Sequence, residues 1–247
     1  MMRNFRLLLC YDGTRYRGWQ RLTTTQETVQ GRLEAALSRI LNAPVEVAGS
    51  GRTDAGAHAM GQVASFHADT QASCEAILRA LRAQLPQDIG AISLSEAAPR
   101  FHARLNASRK TYVYRVWNSD APDVFARRYR YRVTEPLDTA AMQRAAALFL
   151  GEHDFAAFTS DKRPKKSTVR RIDRFTVTRD GAELCFTVTG NGFLYNMVRI
   201  LVGTLLEIGQ GRRTAASVQA LLEGGRREEA GYTVPAHGLC LMEVCYE

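Results

Sequence analysis

At 247 residues, 45% hydrophobic and 23% charged, the chain has the make-up of a soluble globular protein with material for one large domain or two small ones. Its 33 basic residues against 25 acidic ones leave a net charge of +8, a surplus that favours a polyanionic partner. The five scattered cysteines form no C-x-x-C pair, which excludes a disulfide or zinc framework and fits a reduced cytoplasm. The apolar runs Leu7–Cys10 and Ile200–Leu206 are too short for a signal-peptide core or a membrane span.

The first expected element is a buried strand, Phe5–Tyr11, ended by Asp12-Gly13. A loop rich in arginine and aromatic residues follows, from Gly13 to Arg21. Val29, Leu33, Ala36, Leu37 and Ile40 recur at helical spacing, which predicts a helix over 28–41 ended before Pro44. Val45–Ala48 and Gln62–Phe66 read as strands on either side of a glycine-rich loop. Ser73 is positioned to cap a helix running to Ala83, and Ile89–Leu94 reads as a strand. The order is β-α-β-β-α-β.

A second set resembles the first. Thr111–Trp117 has strand composition, and Asp138 can cap a helix from Thr139 to Leu150, with Gly151 as its stop. Ile172–Thr178 and Leu184–Val188 form a predicted hairpin through Asp180-Gly181. Leu194–Glu207 suits a buried helix, Thr214–Leu222 a short amphipathic one, and Leu239–Tyr246 a last strand. The expected class is therefore α+β, with two ferredoxin-like split β-α-β halves whose mainly antiparallel sheets join around a central cleft. The expected halves are residues 1–100, carrying the glycine-rich loop, and residues 101–247, completing the cleft.

That loop, Ala48–Met60, reads A-G-S-G-R-T-D-A-G-A-H-A-M. Gly49, Gly51 and Gly56 permit tight turns and close approach of a ligand. Arg52 and Asp54 fall on the same side of an extended segment. Asp54 can equally be a turn residue bonding its own backbone. The basic surplus is concentrated in Arg100–Arg115, in Arg127–Arg132 and in Lys162-Arg163-Pro164-Lys165-Lys166. Basic clusters beside aromatic residues favour nucleic acid over membrane, although such runs are also ordinary solvated faces. The five histidines have no metal-ligand spacing, so no metal is expected. There is no G-x-x-x-x-G-K-[ST] phosphate loop and no G-x-S-x-G nucleophile elbow. A carboxylate beside an arginine in a basic setting remains, a set able to work on a sugar or base without a cofactor.

These residues carry a resemblance. G-S-G-R-T-D-A-G-A-H-A is similar to the catalytic motif of the bacterial tRNA pseudouridine synthase A (TruA) family. Four further blocks agree and keep the family's order. They are Tyr11-Asp12-Gly13-Thr14 with Tyr16 and Gly18-Trp19-Gln20, then Phe101-His102-Ala103-Arg104, then Gly151–Phe155, and last Asn191–Arg199. Ala57, where the family more often has valine, and Thr111, where it can carry arginine, depart from the pattern.

The resemblance implies an isomerase converting uridine to pseudouridine at positions 38–40 of the tRNA anticodon stem-loop, acting as a homodimer in the cytoplasm without a cofactor. It implies that Asp54 is the catalytic aspartate, that Tyr112 contacts the target uracil and that Arg199 pairs with the aspartate. It further implies that Arg52 helps extrude the nucleotide. Phe101, His102, Ala103, Arg104 and Leu105, with Lys162, Arg163, Pro164, Lys165 and Lys166, would contact tRNA. The residue types suit the reaction, which breaks the C1′–N1 bond and joins C1′ to C5 with nothing oxidised. Read without the family, Tyr112 or Tyr114 could be plain core, and Arg199 could pair with another carboxylate. A non-catalytic RNA-binding protein, or a synthase with another target, also fits the residues alone.

Overall fold

A computed structural model describes residues 2–246. It is mixed α+β, with ten strands and five α-helices among the described residues. The chain divides into two compact units, Met1–Ser108 with Cys240–Glu247, and Arg109–Leu239.

In the first unit β1 (Met2–Tyr11) lies between β3 (His58–Asp69) and β4 (Ile89–Glu96), antiparallel to both, and β2 (Val47–Gly49) is antiparallel to β3. The order β4-β1-β3-β2 is that of a ferredoxin-like unit. Two helices supply the other layer, α1 (Val29–Leu41) and α2 (Cys74–Gln84), capped by the Thr28 and Ser73 hydroxyls, which accept from the amides of Gly31 and Ala76. Phe5, Leu7 and Leu9 of β1 meet Leu33, Leu37, Ile77 and Leu81 in a core where none is more than 1% exposed. Each such side chain stabilises the fold by about 1.5–3 kcal/mol through burial. The last strand, β10 (Leu239–Tyr246), returns to this unit, pairing parallel to β3 at Cys240–His58 and Leu241–Ala59.

In the second unit β5 (Ala107–Asn118), β9 (Glu183–Gly190), β8 (Val169–Asp180) and β7 (Gly151–Asp154) follow one another antiparallel, and β6 (Tyr131–Val133) runs parallel to β5. The β8–β9 hairpin turns at Gly181, as its Asp-Gly pair predicts. Phe149, Phe155, Phe158 and Phe175 form an aromatic cluster. The helices are α3 (Thr139–Ala147), the apolar α4 (Met197–Gly209) and the short α5 (Ala216–Leu222).

Several boundaries differ from the expected ones for local reasons. Helix α3 ends at Ala147 rather than Leu150, because the chain turns over 148–150 and Gly151, at φ +98°, opens β7. Helix α4 begins at Met197 rather than Leu194, because Asn196 is left-handed at φ 61° and cannot continue a helix backwards. Strand β3 begins at His58, so the glycine-rich connection contracts from 48–60 to 50–57. The short strands β6 and β7 had no readable period in the sequence.

Candidate active site

Asp54 lies half-buried in the connection between β2 and β3, where burial alternates along the chain: Arg52 is exposed, Thr53 buried, Asp54 half-buried. Arg52 is thus turned outward while Thr53 enters the core, and Asp54 is intermediate. A tight turn follows, the Ala57 amide donating to the Asp54 carbonyl at 3.1 Å, with Gly56 at φ +81°. A positive φ at the third position of a four-residue turn is a glycine requirement. Gly49 has a different role: a Cβ there would stand 2.4 Å from the Trp19 ring, which is itself 2% exposed and cannot move aside.

Arg52 donates from Nε to the Gln20 side-chain oxygen at 3.0 Å, so its guanidinium is oriented while remaining exposed. It lines a hollow of about 140 Å³ with Trp19, Gln20, Gly49, His102 and Arg104. The sequence candidates Arg52, His102 and Arg104 are thus brought together around one cationic concavity. The 101–105 segment reaches it by being anchored at Ala103, whose amide donates to the Ser65 hydroxyl at 3.0 Å and whose carbonyl accepts from the Tyr246 phenol at 2.7 Å. His102 is turned into its own loop, Nδ1 accepting from the Arg104 amide at 3.1 Å. Phe101 packs on Tyr246 with ring centroids 5.1 Å apart, and Leu105 is 77% exposed. His58 accepts from the Gly13 amide at 3.0 Å, a loop-fastening role.

In the second unit Tyr112 and Tyr114 occupy one face of β5. Both are buried, Tyr112 at 7% exposure and Tyr114 at 0%, and Tyr114 donates its phenol to the Pro235 carbonyl at 2.7 Å. Burial pushes its pKa well up, and the nearby Arg199 charge opposes that rise. Tyr112 meets Phe193 edge-to-face at 5.3 Å. Arg199, half-buried in the first turn of α4, donates from Nε to the Val234 carbonyl at 2.7 Å and from Nη1 to the Asn196 side-chain oxygen at 2.8 Å. Asn196 in turn donates to the Ser160 hydroxyl at 2.9 Å. The left-handed asparagine that starts the helix is thus also the bracket that directs the arginine, a role the sequence did not signal.

Lys162, Arg163, Pro164, Lys165 and Lys166 form an exposed strip. The other basic runs are mixed. Arg130 is committed internally, donating to Glu183 at 2.8 and 3.1 Å and pairing with Asp123, whereas Arg127 and Arg128 stay exposed. Among the described residues, no group of three or more His, Cys, Asp and Glu side chains could hold a metal ion, and no helix is long and apolar enough to cross a membrane.

Below the loop lies a set of buried polar side chains outside the expected site: Tyr11, Ser50, Thr53 and Gln62. One signal for it was available, because Gln62 is the lone amide in the mostly apolar run 59–66, and a buried amide must find partners.

The chain matches the family model described as tRNA pseudouridine synthase over residues 9–106 and 145–247. Tyr112 falls between the two matched stretches. A tRNA pseudouridine synthase A of Halalkalibacterium halodurans is 46% identical, covering 96% of this chain and 90% of that relative. Proteins of the same name from Moorella thermoacetica and from Bacillus sp. strain KSM-64 are 45% and 41% identical, each with at least 98% of both chains covered.

Proposed function

We propose that this chain, which belongs to the tRNA pseudouridine synthase A family, acts on uridines 38–40 of the tRNA anticodon stem-loop, with Asp54 as its catalytic carboxylate. Membership makes it an isomerase acting on tRNA, and the target positions and residue roles are our reading. The observation that carries the role of Asp54 is its setting. It sits on a turn whose preceding residues are held by buried bonds, two positions after Arg52, which is oriented at the rim of a cationic hollow.

Converting uridine to pseudouridine detaches the base from C1′, rotates it and reattaches it through C5. The Asp54 carboxylate either attacks as a nucleophile or takes a sugar proton while stabilising positive charge at C1′. Both roles need it ionised, and Arg199 is its partner in the reading that the family resemblance implies. Tyr112 offers its ring to the uracil, and Arg52 helps extrude the nucleotide. Unstacking costs about a few kcal/mol, which contacts of the 101–105 segment and the Lys162–Lys166 strip with the RNA offset. The protein works as a homodimer in the cytoplasm.

The test is pseudouridine mapping on unmodified tRNA transcripts with the wild type and Asp54→Asn. Product is expected at positions 38–40, and the substitution should lower the rate by at least about 100-fold, the low end for a positioned acid–base group, with tRNA affinity retained. Product elsewhere would overturn the target assignment. Product undiminished by Asp54→Asn would overturn the role of the aspartate.

A further inference from the structure

The four buried polar residues beneath the loop form one hydrogen-bonded chain. Ser50 donates its hydroxyl to Gln62 Oε1 at 2.6 Å. Gln62 Nε2 donates to the Gly51 carbonyl at 3.1 Å and to the Tyr11 phenol oxygen at 3.3 Å. The same phenol lies 2.8 Å from Thr53 Oγ1, in a hydrogen bond that either hydroxyl can donate. Ser50 and Gln62 are fully buried, and Tyr11 and Thr53 are 4% and 6% exposed.

We infer that Tyr11 and Gln62 are positioning residues for the isomerisation, setting the place of Asp54 through Ser50, Gly51 and Thr53; the inference rests on Asp54 being the catalytic carboxylate. The chain starts from two hydrogen-bonded strands, where Leu9 of β1 faces Gln62 of β3 and Tyr11 faces Ala59. It grips three of the four residues that precede Asp54, and the fourth, Arg52, faces outward. A sheet interior that needed only filling would take leucine at position 62, since a buried amide is costly unless every group is bonded. Here the Gln62 and Tyr11 side-chain polar atoms are directed to loop residues or to each other. Burial pushes the Tyr11 phenol well above its ordinary pKa. It therefore keeps its proton throughout the range in which an enzyme works.

The experiment compares Tyr11→Phe, Thr53→Val and Thr53→Ser in the full-length protein with Asp54→Asn and Tyr16→Phe as references. Tyr16 is a matched control, also 4% exposed, whose phenol bonds to Asp88 rather than to the loop. Steady-state kcat and KM on tRNA transcripts are read with the thermal midpoint of each variant. Tyr11→Phe and Thr53→Val are expected to lower kcat by about 10- to 100-fold, the scale of an ångström-level misplacement, with KM within about twofold. Thr53→Ser, which keeps the hydroxyl, should restore most of kcat. Tyr16→Phe should lower the midpoint comparably without the loss of kcat. Full activity of Thr53→Val, or an equal kcat loss in Tyr16→Phe, overturns the inference. If Tyr11→Phe does not fold, the two Thr53 variants decide alone. An active Asp54→Asn would instead remove the premise, whereas an inactive Asp54→Asn beside a fully active Thr53→Val removes only the positioning role.

Discussion

Ser50 and Thr53 are 0% and 6% exposed and bonded into a buried polar chain, whereas every side chain from Asp161 to Ser167 faces solvent. Both segments are polar and irregular, and both precede a strand of their unit. The difference lies in what each can do with a substrate. A carboxylate acting at C1′ must be held to a fraction of an ångström, and that demands neighbours unable to move. Lysines meeting phosphates need only be present and charged, because counterion release supplies the free energy without fixed geometry. Substitutions in the loop should therefore change rate and stability, and those in the strip should change affinity and its salt dependence.

The largest effect is expected from Gly49→Ala. Its Cβ would overlap the buried Trp19 ring at 2.4 Å, and overpacking of this kind destabilises by about 1–3 kcal/mol. Urea denaturation should show the loss, with reduced kcat in the folded fraction. A variant as stable and as active as the wild type would mean that the end of β2 leading into the loop tolerates displacement, and the contrast with the strip would fail.

Next in size is neutralisation of Lys162, Arg163, Lys165 and Lys166 together. The slope of log affinity for tRNA against log salt should become shallower by up to about 3, at about 0.7–0.9 for each phosphate that the strip no longer neutralises. The rate at saturating tRNA should hold. A changed saturating rate with an unchanged slope would show the strip acting on chemistry rather than grip.

The smallest effect on the fold is expected from Arg52→Ala, which lies in the rigid loop but points outward. It gives up one exposed bond to Gln20, and its stability should stay within about 0.5 kcal/mol of the wild type, while turnover of tRNA falls. Equal loss of stability and turnover would place Arg52 with the buried scaffold, and unchanged turnover would remove it from nucleotide extrusion.

Much of this was legible in the chain. The 3.6-residue period placed α1 and α2, Ser73 and Asp138 marked the starts of α2 and α3, and Asp180-Gly181 marked the hairpin. Such features are local, written within a few residues of where they act. Motif order named the family, and the loop carrying Asp54 stood out by its glycines. Helix α4 was shifted by three residues because Asn196 adopts a conformation that composition does not reveal. Strands β6 and β7, of three and four residues, form because a neighbouring strand offers them an edge, and nothing in their own pattern requires it.

By itself, then, the sequence determined the class of fold, the family and the identity of the carboxylate to suspect. Only tertiary structure decided that Tyr114 bonds to Pro235 while Tyr112 meets Phe193, that Asn196 directs Arg199, and that β10 joins the first unit beside β3. It alone brought Tyr11 and Gln62, 51 positions apart in the chain, under the residues leading to Asp54. The reason is physical: periodicity and turn chemistry act between neighbours in sequence. A buried hydrogen bond, by contrast, forms between whichever polar groups the packing of the sheet leaves facing each other away from water.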